Sequence, residues 1–206
     1  MEASQTYHIY NHANGSENLF REEDNYHFFL HQYNKHLADV VDTYAYCLMP
    51  NHFHFLIRVK ASEELKDLTL QSETFPKFRT LEKLESAQYP QFVSKQFSNL
   101  FSSYTQAFNK KYDRKGSLFM KNFNRKPIES IEQWQETFLY IHLNPIKHKY
   151  YKKIEEWKWS SWHAYKHLDS PSLLARSKAI TYFDNLENLL YCSDEKMHKI
   201  MNMNLE

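Results

Sequence analysis

Glycine is almost absent from this chain of 206 residues, which contains only Gly15 and Gly116. Loops that cradle phosphate groups need several closely spaced glycines, and neither a GxGxxG nor a P-loop pattern is present. Cysteine is equally rare, since Cys47 and Cys192 are the two cysteines and form no CxxC pair. The sequence therefore argues against a glycine-rich phosphate loop, a disulfide framework and a thiolate zinc site.

Long apolar runs are also missing. No stretch approaches the ~18 apolar residues that a membrane-spanning helix needs. The first six residues lack the basic and apolar regions of a signal peptide. We therefore expect a protein with no membrane association, located in the reducing cytoplasm. With 42% hydrophobic and 25% charged residues, the composition is that of one globular domain, with room for a small appendage.

The net charge is only +1, but basic residues are concentrated between residues 110 and 158. In that segment twelve Lys or Arg residues outnumber six Asp or Glu residues. A basic surface with interspersed aromatic side chains suits a phosphate backbone and unstacked bases. A solvated surface without a ligand explains the same pattern equally well. The candidates for DNA contact are Lys110, Lys111, Arg114, Lys115, Arg125 and Lys126.

The first half of the chain predicts strands and helices in alternation. The patterns indicate a strand over residues 6–11, a helix over 23–37, and a hairpin of two strands, 41–49 and 52–59, around Pro50-Asn51. Residues 61–90 predict a short helix followed by a loop around Pro76 and Pro90. A long amphipathic helix then runs from residue 97 to 112.

The second half predicts a strand within residues 118–128 and another helix. Ser130, with Gln133 three residues later, caps that helix, and Pro145 ends it. Its buried face is expected to hold Ile131, Trp134, Phe138 and Ile141. The tryptophans at positions 157, 159 and 162 are expected in the core, with stacking on nucleic-acid bases as the less favoured alternative. One or two short helices follow residue 166. Together these elements predict an α+β fold, in which helices pack on an antiparallel sheet.

His52-Phe53-His54 is the first candidate site. Side chains two residues apart on a strand point to the same face, so His52 and His54 can take adjacent positions around one divalent metal ion. Phe53 then points to the opposite face, toward a core. Taken alone, the motif is weak, because twelve histidines occur in the chain and such a pair often arises by chance.

Tyr140 and Asn144 form the second candidate site. At positions i and i+4 of a helix they lie one above the other, so a phenol and an amide oxygen come within reach of one ion. A half-buried tyrosine and an asparagine that ends the helix explain the pattern as well. His142 lies about 200° around the helix from Tyr140 and cannot share its face. For His8 we expect a packing role near the sheet, with support of the site as the alternative.

Several motifs, taken together, resemble one family. Tyr46 to Ile57, with its Pro-Asn-His-Phe-His core, resembles the signature hairpin of the HUH single-strand transposases, named for His, bulky hydrophobic, His. Tyr140-Ile141-His142-Leu143-Asn144-Pro145 is similar to the nucleophile helix of the REP-associated tyrosine transposases. Segments 7–11, 104–109, 116–119 and 157–161 also resemble that family, in the same order. The likeness covers roughly residues 5–165.

The resemblance implies a ferredoxin-like antiparallel sheet, with the HUH histidines on a central strand and the tyrosine helix packed beside it. It implies Mg²⁺ or Mn²⁺ held by His52, His54 and Asn144. It also implies that Tyr140 is the catalytic nucleophile, which would nick single-stranded or hairpin DNA and form a 5′-phosphotyrosine. The corresponding domain spans residues 1–165, and residues 166–206 form a helical extension of unknown role.

Departures from the family pattern concern the DNA contacts. The family often has Gln where this chain has Met120, a basic residue at Asn122, and an Arg-Gly pair near His12-Ala13. The four candidate site residues are all present, so these departures do not bear on the chemistry. Two alternatives to a transposase stay open: a domesticated module that binds hairpin DNA or RNA without cutting, and a metallohydrolase that uses water. The sequence is compatible with a monomer or a homodimer.

Overall fold

The computed structural model describes residues 1–61, 63–64 and 89–203. The described part contains one four-stranded antiparallel sheet: β1 (Thr6–His12), β2 (Val41–Met49), β3 (His52–Val59) and β4 (Asn124–Pro127). The strand order is β2-β3-β1-β4. β3 is therefore a central strand, as expected of the strand that carries the histidine pair. No helix in the described ranges is long and apolar enough to cross a membrane.

The β2–β3 hairpin has the predicted strand bounds, because two runs rich in β-branched and aromatic residues flank the Pro50-Asn51 turn. Its register pairs Cys47 with His54 and Met49 with His52. On the other side of β3, β1 pairs Tyr10 with His54 and His12 with His52. Residues directly opposite each other share a face of the sheet, so alternate residues of β1 lie on the same face as the histidine pair.

Two helices cover one face of the sheet: α1 (Glu23–Leu37) and α2 (Tyr89–Lys111). Phe29 of α1 packs on Phe53, and Tyr33 stacks on Phe55 at 4.3 Å between ring centroids. α2 begins earlier than predicted, because Pro90 lies in its first turn and not in a loop. Proline is tolerated there, since the first N–H groups of a helix have no partner within the helix. The short helix predicted within residues 61–90 falls largely outside the described residues.

The helix α3 (Ile131–His142) packs on the opposite face, against β2 and β3. Ser130 caps it as predicted, since the Ser130 hydroxyl accepts the backbone N–H of Gln133. Trp134, Phe138 and Ile141 are buried, whereas Ile131 is 59% exposed. The prediction for Ile131 was wrong because this residue lies in the first turn of the helix, before the residues that pack on the sheet. The predicted α+β fold of ferredoxin-like type, with the tyrosine helix beside the sheet, is confirmed.

The strand predicted within residues 118–128 is shorter in the structure and covers only Asn124–Pro127. Phe119 forms an isolated bridge with Ala13. Between the bridge and the strand, Asn122 has a φ of +63°, which interrupts an extended chain. The segment therefore changes direction before it joins β1.

Downstream of α3 lie several short helices and one long one. They are α4 (Asn144–Lys147), a 3₁₀ turn (Ile154–Glu156), α5 (Trp162–Lys166), α6 (Arg176–Thr181) and α7 (Leu186–Met203). α7 is 18 residues long and exceeds the short helix predicted there. All three tryptophans after residue 156 are buried, as expected. Beyond residue 166, Tyr182 stacks on Trp134 at 4.0 Å, so the C-terminal segment packs against α3. The domain boundary near residue 165 stays a prediction.

Candidate active site

The histidine pair lies on the α3 side of β3. Both His52 and His54 are 4% exposed, and their ring centroids are 5.2 Å apart. Phe53 between them points to the α1 side. The two imidazoles therefore share one face, at the positions that the period of a strand requires.

Asn144 lies against this pair. Its Oδ1 is 3.2 Å from His52 Nε2, and its side chain is fully buried. The prediction that Tyr140 and Asn144 share one helix was wrong: α3 ends at His142, and Asn144 opens the one-turn helix α4. Pro145 explains the break, because it has no N–H to donate to the Ile141 carbonyl and continue the α3 ladder, and in a continuous helix its ring would clash with that carbonyl. Both side chains nevertheless reach the histidine pair.

Tyr140 is half-buried at the edge of the same cluster. Its ring centroid lies 5.4 Å from that of His54. The ammonium group of Lys147 lies 4.7 Å from the Tyr140 ring centroid, in cation–π range. The structure thus brings together Tyr140, His52, His54 and Asn144, which the sequence separates by up to 92 residues.

The histidines of the cluster are held neutral. Burial lowers the pKa of His52 to about 4 and the pKa of His54 well below its ordinary value. His8 lies beside His54, and burial together with the Lys126 charge lowers the pKa of His8 to about 4. Neutral imidazoles keep a nitrogen lone pair, which is the form that binds a metal ion.

The surroundings of His52 fit a cation. His52 Nδ1 lies 2.7 Å from Asn51 Oδ1, and His52 Nε2 lies 3.2 Å from Asn144 Oδ1. A neutral imidazole has one N–H, so it can donate to only one of these two oxygens. With the proton on Nδ1, the Nε2 lone pair faces the Asn144 oxygen, and a cation bound by both atoms removes that repulsion. A rotated Asn144 amide would remove it too.

The Asn144 side chain adds a second indication. Its Nδ2 is buried and has no hydrogen-bond partner, although buried amide groups are normally paired. Coordination of a metal ion by the amide oxygen would hold the side chain in this orientation. Among the described residues, no three His, Cys, Asp or Glu side chains form a ready metal site. The donor set that fits an ion is therefore two imidazoles and one amide oxygen.

Comparisons with known proteins bear on this arrangement. No family model matches the chain. A curated Haemophilus influenzae protein, provisionally named REP-associated tyrosine transposase, is 22% identical over 125 residues. The match covers 59% of this chain and 59% of that protein, so the chain spans less than two thirds of its relative's length. A solved structure of the REP-associated tyrosine transposase bound to a REP hairpin matches with a TM-score of 0.54 and 16% identity. That match covers 83% of this chain and 84% of the other.

The resemblance to the REP-associated tyrosine transposases is confirmed. It extends to the fold, because the structural match includes most of both chains. The roles of individual residues stay predictions.

Several residues near the site were missed or undervalued by sequence reasoning. His8 Nε2 is 2.9 Å from His54 Nδ1, so His8 does more than pack near the sheet. The rings of His12 and His148 lie 4.8 Å and 5.1 Å from the His52 ring, and Lys147 lies over Tyr140. The alternation of His8, Tyr10 and His12 on β1 was a usable signal for two of them, once β1 is placed beside β3.

The six basic candidates for DNA contact divide into groups. Lys111 forms ion pairs with Glu22 and Asp24, and Arg114 pairs with Glu17. These ion pairs join the end of α2 to the segment before α1 and to the first turn of α1. They lie on the side of the sheet opposite the histidines. Lys110 and Lys115 are exposed at that same end of α2.

Arg125 and Lys126 lie on the edge strand β4 and point to different faces. Arg125 pairs with Ile9, and its guanidinium lies 5.8 Å from the Phe123 ring centroid on the α1 side. Lys126 pairs with His8 and is exposed. Of the six candidates, Lys126 is therefore the one that shares the face of the histidine pair.

Proposed function

We propose that this chain is a divalent-metal-dependent enzyme that nicks and rejoins single-stranded DNA through Tyr140, with hairpin-forming sequences as its substrates. It would thus act as a transposase. The proposal is supported by the relative named as a REP-associated tyrosine transposase and by the fold match to a transposase bound to a REP hairpin. The hairpin is proposed as a substrate of this chain only from that structural similarity.

The observation that carries the proposal is the convergence of a tyrosine and a neutral donor set. Tyr140 lies at ring-contact distance from His54, and Asn144 lies at hydrogen-bond distance from His52. Within the described part of the chain, no hydrogen bond occupies the Tyr140 hydroxyl. A half-buried phenol with a free hydroxyl, beside imidazoles that can hold an activating metal ion, suits a nucleophile in covalent phosphoryl transfer.

The ion-binding residues would be His52, His54 and Asn144. All three are uncharged ligands, so they would leave the full ionic charge available to a phosphate. A divalent ion bound there would polarise the scissile phosphate and stabilise the leaving oxygen. The Lys147 ammonium beside Tyr140, and Lys126 on the same face of the sheet, would attract the DNA backbone toward the phenol.

The covalent step exchanges one phosphate ester for another. The Tyr140 oxygen forms a bond to phosphorus and gives up its proton, while the bond from phosphorus to the 3′ oxygen breaks. The 3′ oxygen takes up a proton and becomes a free hydroxyl, and the 5′ phosphate stays on the protein. Because the ester bond is conserved, a 3′-hydroxyl can reverse the step and join strands without ATP. This reversibility favours tyrosine over water as the nucleophile in strand transfer.

The test is a search for the covalent adduct. Labelled single-stranded hairpins from the DNA that flanks the gene are incubated with the protein and Mn²⁺ or Mg²⁺, and adducts are resolved under denaturing conditions. Tyr140→Phe removes one oxygen and little packing, so it should bind the hairpin normally yet form neither nick nor adduct. Tyr150→Phe is the matched control, because Tyr150 is exposed, and it should behave like the parent.

Other outcomes identify the alternatives. Hairpin binding without products in any metal would indicate a binding module. Nicking without an adduct would indicate a metallohydrolase that uses water. Peptide mapping would also refute the assignment if the nucleotide were found on Tyr104 or Tyr112. The structure argues against both, since the Tyr104 hydroxyl donates to the Leu19 carbonyl and the Tyr112 hydroxyl bonds Asn25.

A further inference from the structure

His8 lies at hydrogen-bond distance from His54. It lies on β1, two residues before the direct partner of His54 in the sheet register. His8 Nε2 and His54 Nδ1 are 2.9 Å apart, and the contact is buried. The two rings are roughly stacked, with centroids 5.1 Å apart. This contact is a hydrogen bond, so a single proton lies between the two nitrogens.

The position of that proton decides what His54 can do. If His54 Nδ1 carries the proton and donates it to His8, the lone pair of His54 is on Nε2, at the outer end of the ring. If His8 donates instead, a neutral His54 must carry its proton on Nε2, and that atom can no longer bind a metal ion. The partner of Nδ1 therefore sets the tautomer of His54.

His52 has an equivalent contact at its own Nδ1, with an amide side chain as the partner. Its Nδ1 lies 2.7 Å from the Asn51 side-chain oxygen, which can only accept a hydrogen bond. The Asn144 oxygen lies farther away, 3.2 Å from Nε2, so the shorter contact favours the proton on Nδ1 and leaves the Nε2 lone pair toward Asn144. Histidines that bind metals typically donate their second ring N–H to such a partner, which fixes both the tautomer and the ring orientation. Asn51 serves His52 in this way, and His8 occupies the equivalent place beside His54.

We infer that His8 is a positioning residue, which accepts a hydrogen bond from the His54 Nδ1–H and thereby presents His54 Nε2 to a divalent metal ion. The inference rests on the proposed function, because it assigns a role toward the same ion. It assigns no contact between His8 and the ion or the DNA. Its effect is confined to the orientation and tautomer of one ligand.

Two substitutions of His8 separate hydrogen bonding from packing. His8→Leu keeps the bulk but offers no acceptor, whereas His8→Gln can place an amide oxygen near the former Nε2. We expect His8→Leu to weaken Mn²⁺ binding about 10–100-fold, the range typical for loss of such a partner. His8→Gln should recover most of that affinity. Calorimetric titration with Mn²⁺ measures both, and unfolding midpoints show whether each variant is folded.

The tautomer of His54 is read directly from the ¹⁵N shifts of its ring in the metal-free protein. The parent and His8→Gln should show the Nδ1–H tautomer, and His8→Leu should shift His54 toward Nε2–H. His12→Leu is the matched control, because it removes an imidazole from the same strand and the same face. The His12 ring contacts the ring of His52 and forms no hydrogen bond with His54. It should leave the His54 tautomer unchanged.

The results distinguish this inference from the proposed function. Unchanged Mn²⁺ affinity in a folded His8→Leu variant, or equal losses in the Leu and Gln variants, would overturn the role of His8. If the parent binds Mn²⁺ but forms no DNA adduct, the proposed function fails while the His8 assignment is still decided by these measurements. If the parent binds no Mn²⁺, the role of His8 toward an ion is overturned, and the ring shifts then show only whether His8 sets the tautomer of His54.

Discussion

His142 is the buried neighbour of the nucleophile candidate, and we predict that it stabilises the fold without taking part in the chemistry. It is fully buried, and burial lowers its pKa to about 3. Its Nδ1 donates to the Phe138 carbonyl at 3.0 Å, and its Nε2 accepts the Ser161 hydroxyl at 2.7 Å. The Ser161 oxygen also accepts the backbone N–H of Tyr46 at 2.8 Å. This network joins the end of α3 to β2 through the tryptophan-rich segment.

The loss in the free energy of unfolding should differ between substitution of Ser161 and substitution of His142. Ser161→Ala leaves two groups without partners, the Tyr46 N–H and His142 Nε2, at about 1–3 kcal/mol each. We therefore expect the free energy of unfolding to fall by about 2–6 kcal/mol. His142→Leu costs only about 1–2 kcal/mol, because the Ser161 hydroxyl can turn to the Tyr46 carbonyl, 3.3 Å away. Both single variants lose the bond between His142 and Ser161, so the double variant loses it only once. The double variant should therefore be about 1–2 kcal/mol more stable than the sum of the two single losses predicts.

Urea unfolding of the parent, the two single variants and the double variant gives this cycle. In a chain of this size, a loss of ~3 kcal/mol also lowers Tm by roughly 6–12 °C. Additive effects, or a larger loss in His142→Leu than in Ser161→Ala, would refute the network as drawn. Complete loss of DNA nicking, rather than a slower rate, in a folded His142→Leu variant that keeps the parent's metal affinity would instead place His142 in the chemistry.

Three further predictions concern the charged surface, the C-terminal segment and a helix cap. Arg114→Ser should lower the free energy of unfolding by about 1 kcal/mol and change the salt dependence of hairpin binding little. Lys126→Ser should lower the slope of log K against log salt by about 1. A larger change in slope for Arg114→Ser than for Lys126→Ser would contradict the assignment of the two residues to opposite faces. A chain that ends at residue 166 should be unstable or aggregate, because it uncovers Trp134, and a monomeric, cooperatively folded product would support a boundary near residue 165. Ser130→Ala should cost about 1 kcal/mol in urea unfolding and leave the affinity for hairpin DNA unchanged.

Local patterns were sufficient to predict the parts of the fold that local physics controls. The β2–β3 hairpin follows from two β-rich runs around Pro50-Asn51, and its bounds are those observed. The shared face of His52 and His54 follows from the period of a strand alone. The Ser130 cap is likewise set within four residues. None of these features depends on contacts with distant parts of the chain.

Features that depend on distant partners were missed or misjudged. His8 reaches His54 only because β1 lies beside β3, across 46 residues of sequence. The salt bridges of Lys111 and Arg114 join residues that are 87 or more positions apart. A lysine or arginine in a sequence looks the same whether its charge is free for DNA or paired with a carboxylate. The basic segment therefore indicated a DNA surface without showing which of its members are already engaged.

The site is built in two halves, and their connection has a functional consequence. The sheet half holds His52 and His54, each with a fixed partner at Nδ1. The helix half holds Tyr140 and Asn144, on two short elements separated by the break before Pro145.

The His142–Ser161 network joins the helix half to β2, the strand next to the histidine strand. The distance from the phenol to the ligands therefore depends on a connection that touches neither DNA nor metal. Small displacements of reacting groups reduce rates steeply. We expect Ser161→Ala to slow adduct formation even below its unfolding temperature, while Mn²⁺ affinity falls less, because two of the three proposed ligands stay fixed on the sheet. Equal losses in rate and in metal affinity would show that the two halves do not move independently.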